Sequence, residues 1–195
     1  EEADSWKPGY NYEFGGDAEG SNDAMGAVML NLPLSFFIII ILLVIQFNSI
    51  RKASIILLTI PLAIVGVTGG LLLANSLFSF TAFLGLISLS GIIINDAIVL
   101  VDKIGTELKE GKGLVESIKK SANDRFSPIL LTTLTTSCGM IPLWTGGGAL
   151  WSPMAITIIF GLLFATIILL IFVPVIFQLL FRSKPSDKRN VIARQ

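Results

Sequence analysis

From Leu30 onward the chain consists of long apolar runs separated by short polar clusters. The runs are Leu30 to Phe47, Ala53 to Ala74, Leu77 to Val101, Pro128 to Trp144 and Met154 to Phe181. Each is close to or above the roughly 17 to 25 residues that a helix needs to cross the hydrocarbon layer of a bilayer. The pattern predicts five transmembrane helices. The fourth run is the shortest and carries Thr132, Thr133, Thr135, Thr136 and Ser137, and a hydroxyl-rich span of this kind usually faces other helices.

The segments outside these runs are short. Residues 1–29 are polar and contain glycine; Tyr10 to Phe14 alternates enough for a short strand whose pairing edge would belong to sequence outside this chain. Asp17 to Met29 reads as a short helix leading into the first span, with Ser21 or Asn22 as its cap. Between the third and fourth spans, Leu114, Ile118, Ala122 and Phe126 recur every four residues among Glu116, Lys119, Lys120 and Asp124. That spacing predicts an amphipathic helix over residues 114–126, lying on the membrane surface, with Gly111 and Gly113 breaking the chain before it. Gly66 and Gly70 form a GxxxG pair in the second span, by itself weak evidence for any one interface. Gly146, Gly147, Gly148 and Pro153 mark a tight turn before the last span.

Composition agrees with a membrane protein. The 195 residues are 53% hydrophobic and 14% charged, against about 25% charged residues in soluble domains. The formal net charge is zero, but the positive charges are unevenly placed. Five crossings put Arg51, Lys52, Lys103, Lys109, Lys112, Lys119, Lys120, Arg125, Arg182, Lys184, Lys188, Arg189 and Arg194 on one side, and Lys7 alone of the 14 basic residues on the other. The positive-inside rule makes the first side cytoplasmic, so residues 1–29 are expected outside and the tail 182–195 inside. No histidine is present, which removes histidine-based catalysis and histidine metal sites. The single Cys138 allows no intramolecular disulfide and reads as a small packing residue.

The candidate chemistry lies in the third span, in Gly91 to Asp102, GIIINDAIVLVD. An aspartate at mid-bilayer costs about 2.5 to 3.5 kcal/mol, while each Leu, Ile, Phe or Val returns about 0.3 to 0.6 kcal/mol. Leu77 to Val101 holds fifteen residues of those four types, worth roughly 5 to 9 kcal/mol, so the helix inserts and keeps Asp96 inside. A buried membrane carboxylate is an ion- or proton-handling candidate; the alternative is a structural hydrogen bond between helices. Ser88, Gly91, Asn95 and Asp102 share one helical stripe, with Asp96 about 100° round from Asn95. Such a stripe needs partners on other helices. Arg125, at the approach to the fourth span, and Thr132, two turns further in, are the candidates, although each also reads as a snorkelling cation and a packing hydroxyl respectively.

Taken together, GIIINDAIVLVDKI, RFSPILLTTLTTSCGMIPL and GGGALWSPMAITIIFGLLFATIILLIFVPV resemble the C-terminal half of resistance-nodulation-division (RND) efflux transporters of the AcrB-like kind. The resemblance covers nearly the whole chain. It implies an all-α polytopic membrane protein whose five spans are the eighth to twelfth of a twelve-helix bundle, after residues 1–29 as the close of a periplasmic porter domain. It further implies a proton antiporter, not an enzyme, in a bacterial inner membrane, with no cofactor. The implied partners are the N-terminal half of the transporter, two further copies in a homotrimer, a periplasmic adaptor, an outer-membrane channel and an amphiphilic small-molecule substrate, with no nucleic acid.

In that family a proton relay joins two aspartates on the fourth helix to a lysine on the tenth and to an arginine and a threonine on the eleventh. The resemblance aligns Arg125 and Thr132 with the last two. Asn95 stands at the lysine position, a departure, and Asp96 at the following asparagine, so a cation is lost and a carboxylate gained. Asp96, Asn95, Arg125 and Thr132 are the expected contribution to the proton path. Lipid-exporting or protein-translocating branches of the superfamily, and an inactive or split fragment, are the alternatives. Met25, Met29, Met140 and Met154 form no paired ladder, which argues against metal export. An intramembrane aspartyl protease would need a second carboxylate, and no other apolar run contains one.

Overall fold

The computed structural model describes residues 17–181, and every described element is helical. The possible strand at Tyr10 to Phe14 and the basic tail 182–195 lie outside the described residues. Six helices follow in order: α1 (Asp17–Phe47), α2 (Ile50–Leu57), α3 (Thr59–Leu73), α4 (Phe80–Lys109), α5 (Leu114–Gly146) and α6 (Gly148–Phe181). Five stretches are long and apolar enough to cross a membrane: Asp23–Phe47, Ile50–Leu73, Phe80–Lys109, Leu114–Gly146 and Gly148–Phe181. The all-α, five-span architecture is the one the hydrophobic pattern predicts.

The chain divides into two units, Glu1–Ile39 and Ile40–Gln195. In the first, α1 runs without interruption from Asp17, so neither Ser21 nor Asn22 caps a separate lead-in helix. Polar side chains within it are bonded to its own backbone: Asn31 Nδ2 donates to the Ala27 carbonyl at 2.8 Å and Ser35 Oγ to the Asn31 carbonyl at 3.1 Å.

In the second unit, the second span is two helices. Pro61 has no amide hydrogen to offer the Leu57 carbonyl, and the helix breaks at Leu58 between α2 and α3. Thr59 Oγ1 covers the junction by donating to the Ile56 carbonyl at 2.6 Å. The connections before α2 and after α3 turn at Asn48 (φ 44°) and Asn75 (φ 50°), left-handed positions that asparagine tolerates better than most residues.

The fourth span differs most from expectation. The amphipathic stretch 114–126 is not a separate surface helix; it forms the first turns of the 33-residue α5, continuous through Pro128. Along these turns Ser117 and Ser121 face the interior, while the charged residues around them find ionic partners or solvent.

Helix α6 is the centre of this unit and packs on α3, α4 and α5. Ala155, Ile158, Leu162, Ala165, Leu169 and Val173 along it are all buried. The GxxxG pair makes the α3 contact. A Cβ on Gly66 would overlap Phe164 of α6, and one on Gly70 would overlap Phe160, so the missing side chains let α3 and α6 approach closely. Gly161 of α6 does the same in reverse, receiving Leu89 of α4 and Val67 of α3.

Candidate functional site

Asp96 sits near the middle of the 30-residue α4 and is 8% exposed. Ile93, Ala97 and Leu100, one helical turn on either side or adjacent, are 2% exposed or less, so the carboxylate lies on the buried face of α4. Seven residues earlier on the same face, within about 20°, lies Leu89, which packs into the Gly161 gap of α6. That alignment turns Asp96 toward the helices of its own unit. Among the described residues no ion pair reaches it.

Asn95, one position away, is exposed. With it Ser88, Gly91 and Asp102 form an exposed stripe down α4. Thr132 is exposed as well, and its hydroxyl donates to the Pro128 carbonyl at 3.0 Å, a bond within its own helix. Arg125 is half-buried, with its Nε buried and without a hydrogen-bond partner among the described residues. Thus the structure separates the four candidates: Asp96 points inward, Asn95 and Thr132 lie on outward faces, and no hydrogen bond or ion pair joins them within the described residues. The expectation that the fourth span partners the polar stripe of the third is not met inside this chain, because one helical residue step rotates a side chain by about 100°.

Two polar constellations escaped the sequence reading. The first is a hydroxyl pair in the apolar interior: Thr133 Oγ1 and Thr166 Oγ1 lie 2.6 Å apart, joining α5 to α6, with both residues at most 4% exposed. Ser137, one turn further along α5, and Thr157 of α6 are also buried, and their hydroxyls have no partner among the described residues. Five hydroxyl residues within six positions of the fourth span were visible in the sequence, but not which of them turned inward.

The second constellation is ionic. Glu107, near the end of α4, has a side chain only 1% exposed and gathers three ammonium groups. Lys103 reaches it at 2.8 Å and Lys120 at 3.1 Å, and Lys112 closes on it from the turn before α5. Lys103 also faces Asp124 at 3.6 Å. Lys103 is therefore held between two carboxylates, one on its own helix and one on α5. Hydrogen bonds to Glu107 and then Glu110 hold the Lys112 ammonium well above the usual lysine range. The signal available in sequence was the i, i+4 spacing of Lys103 and Glu107, which puts them on one face. No group of three or more metal-ligating side chains is present among the described residues.

Comparison with known proteins fits this architecture. The AcrB/AcrD/AcrF family profile matches residues 3–181. The nickel-cobalt-cadmium resistance protein NccA of Alcaligenes xylosoxydans xylosoxydans is 31% identical over 91% of this chain and 17% of its own length. The multidrug resistance protein MdtC of Proteus mirabilis (strain HI4320) is 33% identical over 84% of this chain and 16% of its own length. The chain thus spans about a sixth of the length of these relatives. Among solved structures, a heavy metal efflux pump superposes with a TM-score of 0.75 over 90% of this chain and 18% of its own, at 23% identity, a likeness of fold. With five membrane-length helices and a family match across nearly its whole length, the chain belongs to the AcrB/AcrD/AcrF family of RND transporters and carries part of the membrane-spanning region.

Proposed function

We propose that this segment is the C-terminal membrane half of a proton-motive-force-driven RND exporter and that Asp96 is its proton-carrying residue. The observation that carries the reading is a carboxylate 8% exposed, mid-helix, on the buried face of α4 and without an ion pair among the described residues. Holding such a group in the membrane costs about 2.5 to 3.5 kcal/mol that an apolar side chain would avoid, a cost that a functional role accounts for. Asn95, Arg125 and Thr132 complete the path: Asn95 sits within an exposed polar stripe that a second set of helices, the N-terminal half of the transporter, would cover. Arg125 supplies a cation whose Nε is still free to bond when the carboxylate changes its charge. The exporter would work as a homotrimer in a bacterial inner membrane, with residues 1–29 periplasmic, the tail cytoplasmic, and an adaptor and outer-membrane channel continuing the route.

The relatives support an energy-coupling role for this part. Proteins named for metal resistance and for multidrug resistance share this segment at similar identity, as expected if it handles the driving ion and other regions choose the cargo. The cargo we propose is an amphiphilic small molecule. A second reading, export of divalent metal cations, is favoured by the name of NccA.

The test is Asp96→Asn in the native polypeptide, in everted membrane vesicles. Loss of proton-coupled efflux at normal expression supports the reading, and unchanged efflux overturns it. Running the assay with nickel and with a cationic dye separates the two cargo classes.

A further inference from the structure

Three helix registers meet at Asp96. Along α4 and α6, Thr81 Oγ1 donates to the Leu150 carbonyl, Gly85 lies against Met154 and Leu89 against Gly161, an offset of 69 to 72 residues. Carried down the two helices, the offset brings Asp96 level with residues 165–168 of α6, the turn that holds Thr166. Along α4 and α5, which run antiparallel, Lys103 faces Asp124 and Glu107 faces Lys120. Seven residues back from Lys103, Asp96 is level with Leu131, between the buried Ile129 and Thr133. The direct contact between α5 and α6, Thr133 to Thr166, closes the same triangle about two residues, or 3 Å, nearer the start of α4.

We propose that the Thr133–Thr166 hydroxyl pair is the proton partner of Asp96 and opens a hydroxyl path toward Ser137. The inference rests on the reading of Asp96 as a proton carrier. The pair suits the task because each hydroxyl offers one donor and two acceptor sites. With one threonine donating to the other, the second still has a proton to give to an ionised carboxylate. When Asp96 releases its proton to one threonine oxygen, that hydroxyl's original proton passes to the second threonine, whose own proton moves to the next acceptor. Both threonines end neutral, with one proton each. Ser137 relays it through water: it lies one turn from Thr133 on the same face, is 6% exposed, its hydroxyl has no partner among the described residues, and as it takes up the incoming proton it hands its own to a further water molecule, so it too ends neutral. An apolar interior ordinarily leaves no hydroxyl in that condition.

The experiment uses the native polypeptide in liposomes, with infrared spectroscopy of the protonated carboxyl band that disappears in Asp96→Asn, and with proton flux read by an internal pH dye. The double variant Thr133→Val/Thr166→Val removes both partners while keeping their shape, which avoids leaving an orphaned hydroxyl. We expect the band to move to higher frequency, proton flux to fall roughly tenfold, as loss of a hydrogen bond to a charged group implies, and Thr133→Ser/Thr166→Ser to restore both. Ser137→Ala, which breaks no hydrogen bond, should slow the flux without moving the band. If Asp96→Asn abolishes flux but the valine pair leaves band and flux unchanged, the hydroxyl path is overturned and the role of Asp96 stands. If Asp96→Asn itself leaves flux unchanged, both fall.

Discussion

Thr133 Oγ1 and Thr166 Oγ1 lie 2.6 Å apart, a hydrogen bond between two spans separated by 33 positions in sequence. Among the described residues it is the side-chain hydrogen bond that joins α5 to the central helix. Thr133→Val alone strands the Thr166 hydroxyl and should cost about 1 to 3 kcal/mol, whereas Thr133→Val/Thr166→Val should cost less than either single change. Thermal unfolding of the four proteins in one detergent measures the cycle. Additive losses would show that the two hydroxyls do not interact.

Gly70 and Gly69 are neighbours with opposite surroundings. A Cβ on Gly70 meets the Phe160 ring, while one on Gly69 meets nothing within 4 Å. Gly69→Ala should therefore be neutral or stabilising by roughly 0.5 to 1 kcal/mol through its helix preference. Gly70→Ala should instead destabilise by about 1 to 3 kcal/mol as α3 is pushed off α6. Equal melting temperatures for the two variants would contradict the α3–α6 packing.

Glu107 pairs with three lysines drawn from α4, the following turn and α5, with Asp124 and Glu110 sharing two of them. Glu107→Gln leaves those ammonium groups facing one another and should lower the melting temperature more than Lys120→Met, which removes one of three partners. The raised Lys112 pKa sets the pH dependence of its share. The contribution is complete below the unfolded-state value near 10.5 and is lost only as pH rises through the higher folded value. Lys112→Met should therefore destabilise by the same amount at pH 6 and pH 9. A loss that vanishes at pH 9 would show that Lys112 is not held by these carboxylates.

Asn95 and Ile93 test which face of α4 the unit buries. Ile93 is 2% exposed, so Ile93→Ala should cost about 2 to 5 kcal/mol. Asn95 is exposed, so Asn95→Ala should stay within about 0.5 kcal/mol in this chain by itself. A large loss at Asn95, read from the same unfolding curves, would place the polar stripe inside the unit.

The sequence by itself determined the number and type of the spans. Hydrophobic length is a local property, and a bilayer leaves few alternatives to a helix for a run such as Leu77 to Val101. It also marked Asp96, since one carboxylate among fifteen strongly apolar residues stands out without any neighbour being known. What it could not supply is angle. Asn95 and Asp96 differ by one residue in sequence and by outside and inside in the bundle, as do Thr132 and Thr133. Motif position pointed to Thr132, and only the packing of α5 against α6 turned Thr133 inward to Thr166. The same holds for residues 114–126, whose amphipathic pattern fits a surface helix and the first turns of a long one equally well. The docking of Ser117 and Ser121 toward the bundle and the Lys120–Glu107 pair decided for the second, because both depend on where α4 ends relative to α5.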